Sequence, residues 1–137
     1  MAFDFSGKRA IVCGGSRGIG RSIALGLAQA GAAVSICARG AETLEATRQE
    51  LAAFGHPAHA GTCDLRDGGA IRRYIAGAAQ ALGGVDVLVN NASGFGSSDD
   101  EAGWAVSVAV DMMAIVHATQ AALPFLKDAK GTLVNTS

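Results

Sequence analysis

The chain has 137 residues, of which 50% are hydrophobic and 17% charged, with a formal net charge of −1. That length reads as one domain, the apolar share supplies a core and argues against disorder, and the charge balance gives no reason to expect nucleic acid or an anionic membrane surface. Glycine accounts for 19 residues, about twice the usual share of ~7%, and with only 2 prolines and no repeat the excess points to tight turns.

Short apolar runs alternate with longer helical patterns along the whole chain. A strand over 8–13 carries Ala10-Ile11-Val12-Cys13 and breaks into Gly14-Gly15-Ser16-Arg17-Gly18-Ile19-Gly20. A helix over 18–30 follows, with Ile19, Ile23 and Leu27 one turn apart and Gly31 as its C-terminal stop. Next come a strand over 33–38, a helix over 41–54, a strand over 58–62 and a helix over 67–82 that Asp67 is placed to cap. A strand over 85–89, a helix over 100–122 followed by Pro124, and a strand over 131–135 complete the series.

Such alternation, with right-handed crossovers, makes a parallel sheet covered on both faces. The expected architecture is α/β, a Rossmann-type doubly wound sheet of order 3-2-1-4-5, with the glycine turn at its switch point. Residues 1–137 read as a single dinucleotide-binding domain without a linker. Its C-terminal side reads as incomplete. The fifth strand would form an exposed parallel edge, and the helix over 100–122 would carry Trp104, Val108, Met112 and Ile115 on a stripe with no covering partner. These residues are therefore expected to be part of a longer protein, or to work with a second segment.

The start of the chain, Met1-Ala2-Phe3-Asp4-Phe5, has an early acid and no apolar stretch of signal-peptide length. Asp111 interrupts the longest apolar stretch before it reaches the ~18 residues of a membrane span, so a cytoplasmic protein off the membrane is expected. Cys13, Cys37 and Cys63 are odd in number and lack a Cys-x-x-Cys pair, and they read as buried small hydrophobes in a reducing compartment. A metal site of Cys63, His56 and His59 would lack a fourth ligand, and no metal is expected.

The glycine turn carries the chemistry. Glycine lets backbone approach a phosphate, and the free amides and positive dipole at the start of a helix face its charge. The spacing is Gly-x-x-x-Gly-x-Gly at Gly14, Gly18 and Gly20. Together with Cys63-Asp64-Leu65, Asn90-Asn91-Ala92, Trp104 before a helix, Leu123-Pro124 and Gly131 to Ser137, it resembles the short-chain dehydrogenase/reductase family. The resemblance runs over essentially the whole chain and corresponds to the N-terminal half or so of a family member.

It implies that Gly14, Gly15, Ser16, Arg17, Gly18, Ile19 and Gly20 hold a pyrophosphate, that Asp64 accepts a bond from an adenine amino group with Leu65 packed nearby, and that Asn91 and Ala92 run beside the ribose. The family's Asn-Asn-Ala-Gly turn has Ser93 here in place of its glycine, with Gly94 next. Cofactor choice turns on the end of the second strand, where an acid binds the 2′-hydroxyl of NAD and an arginine accommodates the extra phosphate of NADP. The chain reads Ala38-Arg39 there, with Arg17 as a second cation, so NADP(H) is expected.

Seven residues beyond Trp104, Asp111 stands where the resemblance implies an asparagine of the proton relay, and an ionised aspartate only accepts hydrogen bonds. A helix-surface acid without a role is the other reading of Asp111. Matching Gly131–Ser137 to the family's fifth strand puts the catalytic serine one position beyond Ser137, or at Ser137 itself with a one-residue shift. The family's Tyr-x-x-x-Lys pair is not in the sequence, and Tyr74, the only tyrosine, lies elsewhere.

The expectation is thus an NADP(H)-dependent oxidoreductase moving hydride between the nicotinamide and a small carbonyl or alcohol substrate, with 3-ketoacyl reduction as one occupation of the scaffold. The helix over 100–122 would form a homo-oligomer interface. A non-catalytic NADP-binding or regulatory module is the main alternative. A methyltransferase with a related glycine loop is a third reading, which Arg39 argues against.

Overall fold

The computed structural model describes residues 3–137. Five parallel strands, β1 (Arg9–Cys13), β2 (Ala33–Ala38), β3 (Ala58–Thr62), β4 (Val87–Asn90) and β5 (Thr132–Asn135), form one sheet in the order β3-β2-β1-β4-β5. That is the doubly wound order expected from the alternation of elements. Helices α1 (Gly18–Gln29) and α2 (Ala41–Ala52) join the first three strands, and α3 (Gly68–Leu82) leads to β4.

Neighbouring residues of β1 serve opposite faces, which is why the run is apolar throughout. Ile11 and Cys13 pack with Ile71, Ile75, Ala78 and Leu88 on one face, while Val12 packs with Val34, Ile36, Leu44 and Leu51 on the other. Each fully buried Ile or Leu of this set stabilises the fold by roughly 1.5–3 kcal/mol relative to an exposed one. The three thiols lie on the first face and are free, with Cys13 and Cys63 both beside Cys37.

The capping signals act as expected. The Asp67 carboxylate accepts from the amides of Gly69 and Ala70 at 2.9 and 3.2 Å. Gly31 takes φ +105° directly after α1, where an L side chain would be strained, and Gly83 closes α3 in the left-handed region.

Three expectations need correction. The buried stripe of α1 is Gly20, Ala24 and Ala28, and Ile19 is 70% exposed while Ile23 and Leu27 only flank the core. Small residues let this helix lie close to the sheet, so the face is set by closeness and not by bulk. The helix expected over 100–122 is three segments. α4 (Glu101–Ser107) passes into a π-helical turn at Val108–Met113, and α5 (Ala114–Ala129) continues through Pro124. Pro124 and Gln120 are both on the exposed side, so the carbonyl that loses a donor there faces water. Finally, Asp111 does not break the apolar character of this stretch. The helical run Glu101–Ala129 is long and apolar enough to cross a membrane by length and composition, with a mean hydropathy of 1.5. In the fold α5 lies on α3 and the sheet, burying Ala114, Ala118, Ala122 and Leu126. Its other side, with α4 and the π turn, leaves Trp104, Val108 and Met112 at 64%, 44% and 60% exposure, and every residue of β5 is exposed.

Candidate functional site

The C-terminal ends of β1, β2 and β4 meet around the glycine turn. β1 ends at Cys13, and Gly14 turns the chain with φ +81°. A Cβ on Gly14 would stand 2.8 Å from the Cα of Ala92, so only glycine lets the two backbones approach. The amides of Gly14 and Gly15 donate to the carbonyl of Cys37 at 3.0 and 3.2 Å. Gly20 lies against the carbonyl of Gly14, and a Cβ there would also stand 2.6 Å from Nδ2 of Asn91. Asn91 Nδ2 donates to the Gly14 carbonyl at 3.4 Å, and the Thr136 hydroxyl donates to Asn91 Oδ1 at 2.9 Å. Gly14, Gly20, Asn91 and Ala92 are thus gathered into one knot joining β1, α1, β4 and the end of β5. Gly15 packs on Ile36, which gives it a structural task.

The start of α1, like that of α2 after Gly40, has no side-chain cap, unlike those of α3 and α4. Asp67 and Asp100 each close their helix with a carboxylate, Asp100 accepting from Gly103 N at 2.8 Å. At α1 the N-cap is Arg17, in extended conformation and with no side-chain bond to the helix. The first amides of a helix have no partner within it, so those of Gly18, Ile19 and Gly20 are left as donors at the mouth of the sheet. Gly18 has φ +60°, and a Cβ built on it would meet nothing within 4 Å. Arg17, Gly18 and Ile19 are exposed, and Ser16 is half-buried. From α2, the buried Thr47 hydroxyl donates to the Ser16 carbonyl at 3.1 Å and steadies the turn. Sequence reasoning missed Thr47, because a threonine inside a helix gives no sign of reaching a loop 31 residues back.

Arg39 sits one residue past β2, exposed and in no ion pair among the described residues. Across from it, the Asp64 carboxylate accepts from the Arg66 amide at 3.0 Å, Arg66 Nε at 3.1 Å and Arg66 Nη2 at 2.9 Å. Those bonds hold the Asp64 carboxyl below the usual carboxylate range, and the nearby charge of Arg39 adds to the effect. Sequence pattern gives no sign of Arg66 as the partner of Asp64. Leu65 turns inward to a hollow of ≈ 10 Å³, about the room of one water, lined also by Cys13, Asn90, Ala92, Val110, Ala114 and Ile115.

The two candidates for proton chemistry come from other segments of the chain. Asp111 is exposed on the π turn, with no hydrogen bond or ion pair among the described residues, and Ser137 is exposed two residues beyond β5. His117 packs against Gly68 at the start of α3. Tyr74 is buried and shares a hydrogen bond with the Ser35 hydroxyl at 2.6 Å, and that hydroxyl also meets His59 Nδ1 at 2.8 Å. No group of three His, Cys, Asp or Glu among the described residues is arranged to hold a metal ion.

Comparison with known proteins agrees with the fold. A profile of the short chain dehydrogenase family matches residues 8–137. The rhamnolipids biosynthesis 3-oxoacyl-[acyl-carrier-protein] reductase of Pseudomonas aeruginosa is 36% identical over 129 residues, which cover 91% of this chain and 50% of the relative. A short chain dehydrogenase from Burkholderia cenocepacia J2315, solved in complex with NADP, is 37% identical with a TM-score of 0.88, covering 96% of this chain and 56% of that one. The RhlG/NADP active-site complex of Pseudomonas aeruginosa is 34% identical with a TM-score of 0.87, covering 98% and 56% respectively. The chain therefore spans about half the length of the relatives it matches. With the profile running from residue 8 to the last residue and solved relatives at 37% and 34% identity superposing with TM-scores of 0.88 and 0.87, the chain belongs to the short chain dehydrogenase family.

Proposed function

We propose that the chain forms the cofactor-holding domain, residues 1–137, of an NADP(H)-dependent oxidoreductase acting on a small carbonyl or alcohol. The observation that carries this reading is the start of α1, which has no side-chain cap and is open at Gly18, together with Arg17 and Arg39, neither in an ion pair among the described residues. The residues present fit a dinucleotide. Helix-end amides and three close-packed glycines suit a diphosphate, and the lack of a carboxylate at Ala38 with a guanidinium at Arg39 suits a phosphorylated ribose. A bound nicotinamide would supply or accept the hydride.

In this reading Gly14, Gly15, Ser16, Arg17, Gly18, Ile19 and Gly20 surround the diphosphate, Arg39 meets the 2′-phosphate, Asp64 and Leu65 hold the adenine, and Asn91 with Ala92 borders the ribose. Asp111 and Ser137 are assigned to the proton relay and the carbonyl-polarising position on resemblance to the family. The outward Asp111, in place of an asparagine, favours a second reading, a module that binds NADPH without turning over. The free thiols favour a reducing, cytoplasmic setting, and the apolar side of α4 and the π turn favours a second copy of the protein as its cover.

Titration of the protein with NADPH and NADH tests the cofactor. NADPH binding at least about tenfold tighter, a preference abolished by Arg39→Glu, is expected from one charge-assisted phosphate contact. Equal affinities would refute the assignment. Turnover of a carbonyl substrate then separates the enzyme from the silent module.

A further inference from the structure

We propose that Arg66 is a positioning residue for base specificity: it clamps Asp64 as a fixed, acceptor-only group at the mouth of the sheet, so that the cofactor must carry an exocyclic amine on its purine. The proposal rests on the cofactor reading above and goes one residue beyond it. Asp64 is half-buried at the mouth of the sheet, next to Leu65, whose hollow is shared with Ala92, Val110 and Ile115. The carboxylate alone, however, would be a poor selector. It follows β3 in an irregular turn, and a free aspartate there would sample several rotamers and be hydrated.

Arg66 removes that freedom. Its backbone amide and Nε both bond Oδ1, at 3.0 and 3.1 Å, while Nη2 bonds Oδ2 at 2.9 Å. A two-point guanidinium fork plus a main-chain bond fixes the plane of the carboxylate as well as its place. Three donors leave open lone pairs on a group that can accept and cannot donate while it is ionised. An adenine 6-amino group donates to such an oxygen. A 6-oxo purine presents an acceptor there, and two facing acceptors repel.

The test uses the protein in its natural length, titrated calorimetrically with NADPH and with its hypoxanthine analogue, in which the 6-amino group is replaced by oxygen. Wild type is expected to favour NADPH by about tenfold or more, the weight of one hydrogen bond to a charged group. Arg66→Ala is expected to shrink that ratio to about threefold or less, and Arg66→Lys to restore part of it, because a lysine keeps a charge without the planar fork. A purely structural role for Arg66 would lower both affinities together and leave the ratio unmoved, which would overturn the proposal. A ratio that rises in Arg66→Ala would also overturn it, showing that Arg66 competes with the base for Asp64. If wild type bound neither dinucleotide, the cofactor reading itself would fall. If it bound both equally, the cofactor reading would stand and the selection by Asp64 would fail.

Discussion

Adding one methyl group at Gly14 and one at Gly18 should separate what the glycine turn does for the fold from what it does for a ligand. Both residues have positive φ, +81° and +60°, so alanine at either costs about 1–2 kcal/mol in backbone strain. At Gly18 nothing else is added, because a Cβ there meets no atom within 4 Å. At Gly14 the methyl lands 2.8 Å from Ala92 Cα and 2.9 Å from Ala92 Cβ, between two backbones that neither strand can move apart without losing ladder bonds. Overpacking of that kind adds about 1–3 kcal/mol, giving a total of about 2–5 kcal/mol for Gly14→Ala. Urea unfolding with an unchanged slope would measure both.

The ligand side reverses the order of concern. If a diphosphate occupies the open space at Gly18, Gly18→Ala pushes it off the amides of α1. Losing two charge-assisted bonds at about 1.5 kcal/mol each weakens NADPH binding by roughly 100-fold. Gly18→Ala should therefore lose no more stability than its backbone strain of about 1–2 kcal/mol, less than Gly14→Ala, and bind far worse. A Gly18→Ala protein that binds NADPH normally would refute the reasoning, as would a Gly14→Ala protein as stable as its parent.

Ser35→Ala should cost about 2–4 kcal/mol in urea unfolding, because among the described residues it strips the side-chain hydrogen-bond partner of both the Tyr74 hydroxyl and His59 Nδ1, whereas a loss below about 1 kcal/mol would deny the chain of bonds. Burial lowers the His59 pKa, so the folded state resists its protonation; stability should decline as pH falls below about 6.5, and His59→Gln should flatten that decline. Asp86, joined to Arg9 Nε at 2.8 Å, has a lowered pKa; its contribution should be fully present above about pH 4 and fade as acid protonates the folded protein, and Asp86→Asn should remove that acid-side slope. Met112→Glu, on the exposed apolar side of the π turn, should leave the unfolding free energy of the chain within about 0.5 kcal/mol and convert an oligomer into monomers by sedimentation. An unchanged sedimentation coefficient would locate any self-association elsewhere.

The strands, their order and the caps at Asp67 and Gly31 could be read from sequence because each rests on local chemistry: continuous apolar runs, a carboxylate before a helix, a glycine after one. The buried face of α1 is hidden from the sequence pattern for an instructive reason. Ile19, Ile23 and Leu27 have helical spacing and bulk, yet the sheet takes the neighbouring Gly20, Ala24 and Ala28, because backbone proximity at the glycine turn outweighs side-chain area. The π turn at Val108–Met113 leaves no trace in composition, since one inserted residue changes the register and not the residue types. Pro124 looked like a stop because the side on which its missing bond falls is known only from packing. In the site, glycine spacing and Asn91-Ala92 were readable, and the arrangement joins them through Asn91 and Gly14. Thr47 and Arg66 were not. Their partners, Ser16 and Asp64, are reached through the tertiary path of α2 and a turn geometry that no periodicity encodes.

Amide-resolved NMR during addition of NADPH tests the central claim most directly. The account predicts that the amides of Gly18, Ile19 and Gly20 move together and saturate with the ligand, with Arg39 responding to NADPH and not to NADH. Saturable NADPH binding that leaves those three amides unmoved would contradict it.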